Sequence, residues 1–351
     1  MTNTNTNTNT NTGTMSKVDK EKEKPSPSPS PSPKSSAPIE PAVRVIDIGI
    51  NLTNKAFKKD WKNVIQRAVN AGVDRIILTG TSIKVSKESL KLAHEWYDET
   101  GIPNLYVTIG IHPHDAKSWN EKTTLQEMKK LLLNDPLAIA IGECGLDYNR
   151  NFSTKKEQIH AFRNQVQLAY DLQQDNNYPI FIHEREAHTE LIHILDQLRK
   201  KNENKQEPKI VIHCFTGTQE EAMEYVSRGY YIGLTGMICK TERGASLRDE
   251  ILSNNNTIPL ERIMIETDAP YMGFKKRMPE NAKNVDGDGR KTKPRGRMMT
   301  SSEPIDCIDI AEKLSETINI SFEEVCETTT KNAIEFFNIP VLKKPKGTKK
   351  K

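Results

Sequence analysis

The chain has 351 residues, of which 28% are charged and 35% hydrophobic, and its formal net charge is +4. That length holds one large domain or two small ones, yet a mean hydropathy of −0.67 is too polar for a single globule throughout. No apolar run is long enough to span a bilayer, so no membrane association is expected. The excess polarity sits in the tails. Residues 1–41 are an Asn-Thr repeat, a Lys-Glu run and a Ser-Pro repeat, which cannot bury enough apolar surface to offset ordering entropy, so a disordered tail is expected. This segment has no apolar h-region, and it has acids but no Arg, which argues against a secretory signal or a transit peptide. Five cysteines without a Cys-x-x-Cys point to reduced thiols in an intracellular protein, cytoplasmic or nuclear.

The charge is unevenly spread. A basic insertion, Lys275–Arg297, holds nine Lys/Arg against three Asp/Glu, and the basic tail, residues 341–351, adds six Lys. With +1 from residues 1–41, these segments carry +13, so a total of +4 leaves −9 on the body. An acidic body with basic appendages suits a metal-assisted enzyme whose polyanionic substrate is gathered by lysines.

In chain order, Val43–Ile50 reads as a strand and Asp60–Ala71 as a helix stopped by Gly72. Arg75–Leu78 is a strand, Ser86–Tyr97 a helix, Leu105–Ile109 a strand and Leu125–Leu133 a helix. Leu137–Ile141 is the fourth strand. Thr154-Lys-Lys-Glu157 is a capping box opening a helix with Ile159, Phe162, Val166, Ala169 and Leu172 on its buried stripe. Pro179–Ile182, Ile210–Ile212, Tyr230–Leu234 and Ile263–Ile265 are strands five to eight. Helices run through Leu191–Leu198, Thr218–Arg228 and, briefly, Leu247–Leu252, and Ile305–Glu316 and Phe322–Phe337 close the body. Eight strands alternating with helices predict a parallel sheet closed into a (β/α)8 TIM barrel over residues 42–340. The rival, an open doubly wound sheet, lacks a Gly-x-Gly-x-x-Gly after a strand.

A barrel brings all eight strand C-termini to one rim. Here those ends carry His112 and His114, Glu143, His183, His213, and Glu266 with Asp268. Glu143, His183, His213 and Asp268 form a mixed nitrogen and oxygen set able to hold one or two divalent ions, with Mg2+ as the first expectation and Mn2+ or Zn2+ as alternatives. Asp268 and Glu143 are the expected catalytic carboxylates, Asp268 taking a proton from the attacking water. His112 and His114 flank Pro113 in a loop suited to a phosphate oxygen. Asp47, Asn51 and Glu266 are expected in supporting positions. Cys144 and Cys214 adjoin ligands but read as packing residues.

At this point the motifs resemble the TatD-type deoxyribonucleases, within the metal-dependent hydrolases. The matching blocks are Asp47-Ile-Gly-Ile-Asn-Leu-Thr53, Gly110-Ile-His-Pro-His-Asp115, Ile141-Gly-Glu-Cys-Gly-Leu-Asp147, His183–His188, His213-Cys-Phe-Thr-Gly217 and Ile265-Glu-Thr-Asp-Ala-Pro-Tyr271. The resemblance implies a barrel, a divalent-metal-dependent nuclease that is commonly a 3′→5′ exonuclease, and Glu143, His183, His213 and Asp268 as ligands. Two departures stand out. Where many members open with His-x-His, this chain has Gly49 and Asn51, and Ser301-Ser302 precedes Glu303-Pro304 where members tend to carry Arg-Asn. The expected function is hydrolysis of phosphodiester bonds in DNA by a monomer. The alternatives are an ester hydrolase acting on aminoacyl-tRNA, or a catalytically weakened nucleic-acid-binding protein.

Overall fold

Strand formation follows from runs such as Val45-Ile-Asp-Ile-Gly-Ile50, every residue of which is buried. In the computed structural model, which describes residues 44–174, 176–253, 257–274 and 301–339, eight such runs form one parallel sheet in sequence order. The strands are β1 (Val45–Ile50), β2 (Val73–Leu78), β3 (Leu105–Ile109), β4 (Ala138–Asp147), β5 (Ile180–Arg185), β6 (Ile210–Ile212), β7 (Tyr231–Leu234) and β8 (Ile263–Ile265). Beyond β8 the chain returns to β1. Ile50 and Ala269 form a parallel bridge, and the Asp268 amide donates to the Gly49 carbonyl at 2.8 Å, which brings the barrel to near closure. The (β/α)8 expectation therefore holds. The low-complexity tail, the basic insertion Lys275–Arg297 and the basic tail lie outside the described residues.

The helices are α1 (Trp61–Ala71), α2 (Ile83–Thr100), α3 (Thr124–Asn134), α4 (Lys155–Asp171), α5 (His188–Lys201), α6 (Gln219–Ser227), α7 (Cys307–Ile318) and α8 (Phe322–Phe337). Their starts follow local chemistry. Thr154 with Glu157, and Thr218 with Glu221, form reciprocal capping boxes on α4 and α6. Gly72 ends α1 in the left-handed region. Between β7 and β8 the expected short helix is a six-residue π-helical turn, Leu247–Leu252. On α8, Asn332 donates to the carbonyls of Leu260 and Ile263, tying that helix to the entry of β8.

Two elements differ from expectation in ways that shape the site. β4 runs six residues past Ile141, to Asp147, and β5 runs past Ile182 to Arg185. The extensions pair with each other, Gly145 opposite His183 and Asp147 opposite Arg185. Only glycine fits at 145. Its φ is +142°, and a Cβ there would lie 1.9 Å from the His183 carbonyl oxygen. On α4, Ile159 is only partly buried, and two glutamines occupy the inner face instead. Gln158 accepts from the Asp147 amide at 2.8 Å and donates to the Asp147 and Ser153 carbonyls. Gln165 accepts from the Ile111 amide at 2.8 Å and donates to the Ile111 carbonyl at 3.0 Å. Both clamp backbone that precedes or carries site residues and would otherwise be unsatisfied. Gln165→Leu leaves both Ile111 groups unpaired in the interior. It is expected to cost about 1–3 kcal/mol in urea unfolding, and an unchanged midpoint would show that the clamp contributes nothing.

Candidate metal centre at the barrel rim

The β4 extension delivers Glu143 into the mouth of the barrel. One of its oxygens, Oε1, meets three imidazoles. His213 Nε2 lies 2.8 Å away, His183 Nδ1 3.0 Å and His112 Nε2 3.2 Å. These rings arrive from the ends of β6 and β5 and from the loop after β3. His183 Nδ1 and His213 Nε2 are themselves 3.4 Å apart. Candidate ligand atoms of His112, Glu143 and His183 all fall within 4.8 Å of one another. Burial opposes the Glu143 charge, but His112 and His213 outweigh it and hold the carboxyl well below the usual range. Burial dominates at His112 and lowers it to about 4, the neutral form that ligates metals. His183 Nε2 is buried without a hydrogen-bond partner. An orphaned imidazole nitrogen beside a buried carboxylate fits a cation, and the donor set suits Zn2+ or Mn2+ and, through its carboxylates, Mg2+.

Expected at a substrate phosphate, His112 is placed among the candidate ligands, with its Nδ1 accepting from the His114 amide at 2.9 Å. His114 stands one step further out, its Nε2 2.7 Å from Asp147 Oδ2, and it lines the cavity. Asp268 lines the same cavity. Its Oδ1 accepts from Asn51 Nδ2 at 2.9 Å, a link across the β8–β1 seam. Burial, opposed by His213 and reinforced by Glu143 and Glu266, raises the Asp268 carboxyl to about 7.

Glu266 and Asp47 do not line the cavity but sit behind it. Glu266 is fully buried. Its Oε1 accepts from the Cys214 amide, and its Oε2 lies 3.4 Å from His213 Nδ1. Glycine at 49, where the family's histidine pair would begin, makes this possible, since a Cβ there would lie 2.5 Å from Glu266 Oε2. Asp47 accepts from the Thr267 hydroxyl at 2.6 Å and from the Thr267 amide at 3.0 Å, fixing the backbone just before Asp268.

Several cavity residues escaped the sequence reading. Asp147 Oδ2 lies 3.5 Å from His183 Nε2 and so touches two site histidines. Its signal was strand parity, because 143, 145 and 147 share a face once β4 is continued. Arg150, Arg185, Lys240 and Arg243 also line the cavity, which measures about 660 Å3 and is open to solvent. No ion pair is formed by any of these four among the described residues. Arg185 ends β5 and the other three lie in loops, and nothing local in the sequence marks them. All five cysteines are free thiols. Of these, Cys214 lines the cavity while Cys144 is buried in the core.

A (β/α)8 barrel whose C-terminal rim gathers imidazoles and carboxylates in one open, cation-walled cavity defines a metal-dependent hydrolase. Comparison with known proteins narrows the class. The profile of the family described as "TatD related DNase" matches residues 46–338, and the chain belongs to that family. A relative from Escherichia fergusonii, described as "3'-5' ssDNA/RNA exonuclease TatD", is 43% identical over 228 residues, covering 65% of this chain and 80% of the relative. A Citrobacter rodentium protein of the same description is 44% identical, with 65% and 79% covered. Among solved structures, a TatD family hydrolase from Entamoeba histolytica superposes with a TM-score of 0.69 at 30% identity, covering 85% of this chain and 99% of that one. No described helix is long and apolar enough to cross a membrane.

The cluster makes a direct prediction. Glu143→Gln keeps the shape but removes the charge on which three imidazoles converge, and bound metal measured by elemental analysis should fall at least ten-fold. Metal content equal to that of the unaltered protein would remove Glu143 from the centre.

Proposed function

We propose that this protein is a divalent-metal-dependent deoxyribonuclease that hydrolyses phosphodiester bonds in DNA as a 3′→5′ exonuclease. The observation that carries the reading is the junction of two features in one cavity, the Glu143–imidazole cluster and four cations that have no acidic partner among the described residues. A cluster of that kind serves ester hydrolysis, and unpaired cations around it select an anionic substrate. The description of the Escherichia fergusonii relative supports the polarity of digestion.

Glu143, His183, His213 and Asp268, joined by His112, would hold one or two ions, with Mg2+ the first choice and Mn2+ or Zn2+ the alternatives. When bound, a divalent ion supplies Lewis acidity to the scissile phosphate and lowers the pKa of water. The chain supplies the rest. Asn51 holds one oxygen of Asp268, which fixes the carboxylate that orients the attacking water and takes its proton. His114, steadied by Asp147, contacts a phosphate oxygen. Glu266, set behind His213, keeps that ring turned toward Glu143. The basic insertion Lys275–Arg297 follows Asp268 in sequence and offsets the −9 of the body as DNA approaches.

Release of nucleotides from 5′-labelled DNA should stop in EDTA and return with Mg2+ or Mn2+. Full turnover in metal-free buffer would refute the metal dependence. Asp268→Asn should lower kcat by roughly 10²–10⁴ while the melting temperature holds, and a larger loss at Glu266→Gln would exchange the two roles. Charged tRNA assayed beside DNA separates the ester-hydrolase alternative, since turnover of charged tRNA without turnover of DNA would replace the nuclease reading. Neutralising the Lys and Arg of the insertion should raise KM and flatten its salt dependence with little change in kcat. An unaltered salt slope would leave the insertion without a role in binding.

A further inference from the structure

Exposed large hydrophobic side chains are few among the described residues, and two of them are aromatic rings on loops at the catalytic rim. Phe152, in the loop after β4, is 57% exposed, and Tyr271, in the loop after β8, is 54% exposed. The others lie on or beside the outer helices α2, α3 and α6. Both rings are held in place rather than loose. Phe152 rests against His114 with ring centroids 4.8 Å apart. Tyr271 donates its backbone amide to the Asp268 carbonyl at 2.9 Å, and its hydroxyl accepts from Asn54 at 3.0 Å. Each ring shares its side of the mouth with cations. Arg150 is two residues before Phe152, and Arg185 pairs with β4 at Asp147. On the other side Lys240 and Arg243 come from the loop after β7, the neighbour of β8, and line the cavity with Tyr271.

An anchored, solvent-facing ring beside unpaired cations is the combination that binds an unpaired nucleotide. The cation takes the phosphate, and the ring takes the face of the base. A duplex cannot offer those faces, because its bases already stack on one another. Building on the nuclease reading, we propose that Phe152 and Tyr271 are base-stacking platforms on the two sides of the Glu143 cluster, gripping nucleotides that flank the scissile phosphate of a single strand. They set strand preference without base-edge contacts, so the preference is for unpaired ends rather than for a sequence.

The test uses the full-length protein in EDTA, so that no strand is cut, and a single-stranded DNA oligonucleotide with 2-aminopurine at its 3′-terminal or penultimate position. Stacking quenches this base. Binding should quench the fluorescence, and Phe152→Ala or Tyr271→Ala should each restore it at one position and weaken Kd about ten-fold or more. Phe152→Trp and Tyr271→Phe should retain both properties. Replacing the stacked nucleotide by an abasic one should weaken binding to the unaltered protein and add little to the matching Ala variant. If the abasic penalty is the same for the unaltered protein and both Ala variants, or if quenching persists in both, the platforms are refuted while the nuclease reading stands. If no nucleic acid binds, and none is cut when metal is restored, the nuclease reading itself fails.

Discussion

The buried charge of Glu143 is the constraint on which the rest of the rim depends. A carboxylate taken out of water costs several kcal/mol unless it is paired, and its Oε1 is paired with three imidazoles within 3.2 Å. Those rings come from three different strand ends, so the pairing forces β3, β5 and β6 to end in register around β4. It also explains the β4 extension. Glycine at 145 lets the extended strand press against the His183 carbonyl, 1.9 Å from where a Cβ would stand. The site is therefore a property of barrel geometry rather than of any one loop.

Behind this row lies a second one that orients it. Asp147 contacts His114 and His183, Glu266 stands at His213, and Asp47 holds Thr267 one residue before Asp268. The β1–β8 seam is where this chain departs from the His-x-His pattern. Gly49 leaves space that the Glu266 carboxylate approaches, and Asn51 takes hold of Asp268. At these two positions the chain therefore has room for Glu266 and a hydrogen bond to Asp268. Glu143 Oε1 still meets His112, His183 and His213. Partners of this kind fix ligand orientation and are felt in affinity and rate when altered.

Much of the fold could be read from the chain alone because each of its units announces itself. Apolar runs bounded by turn residues mark the eight strands, and the capping box at Thr154 marks the start of α4 to the residue. Glu143, His183, His213 and Asp268 line one cavity because a barrel sends every strand end to one rim. What escaped was whatever depends on register. Asp147 was hidden by ending β4 at Ile141, and the placement of His112 depended on a loop path that no periodicity describes. Gln158 and Gln165 sit on the inner face of α4 because they bond backbone, a role that a hydrophobic-stripe reading does not see. The four cavity cations come from the loop after β4, the end of β5 and the loop after β7, and only the barrel brings them together.

The central claim is that Glu143 and its imidazoles are a metal centre. It is tested most directly by growing crystals in Mn2+ and locating the ion by its anomalous scattering. The arrangement predicts a peak bonded to the Glu143 carboxylate and to nitrogens of at least two of His112, His183 and His213. An active, manganese-loaded protein whose only anomalous peaks lie away from Glu143 would contradict it.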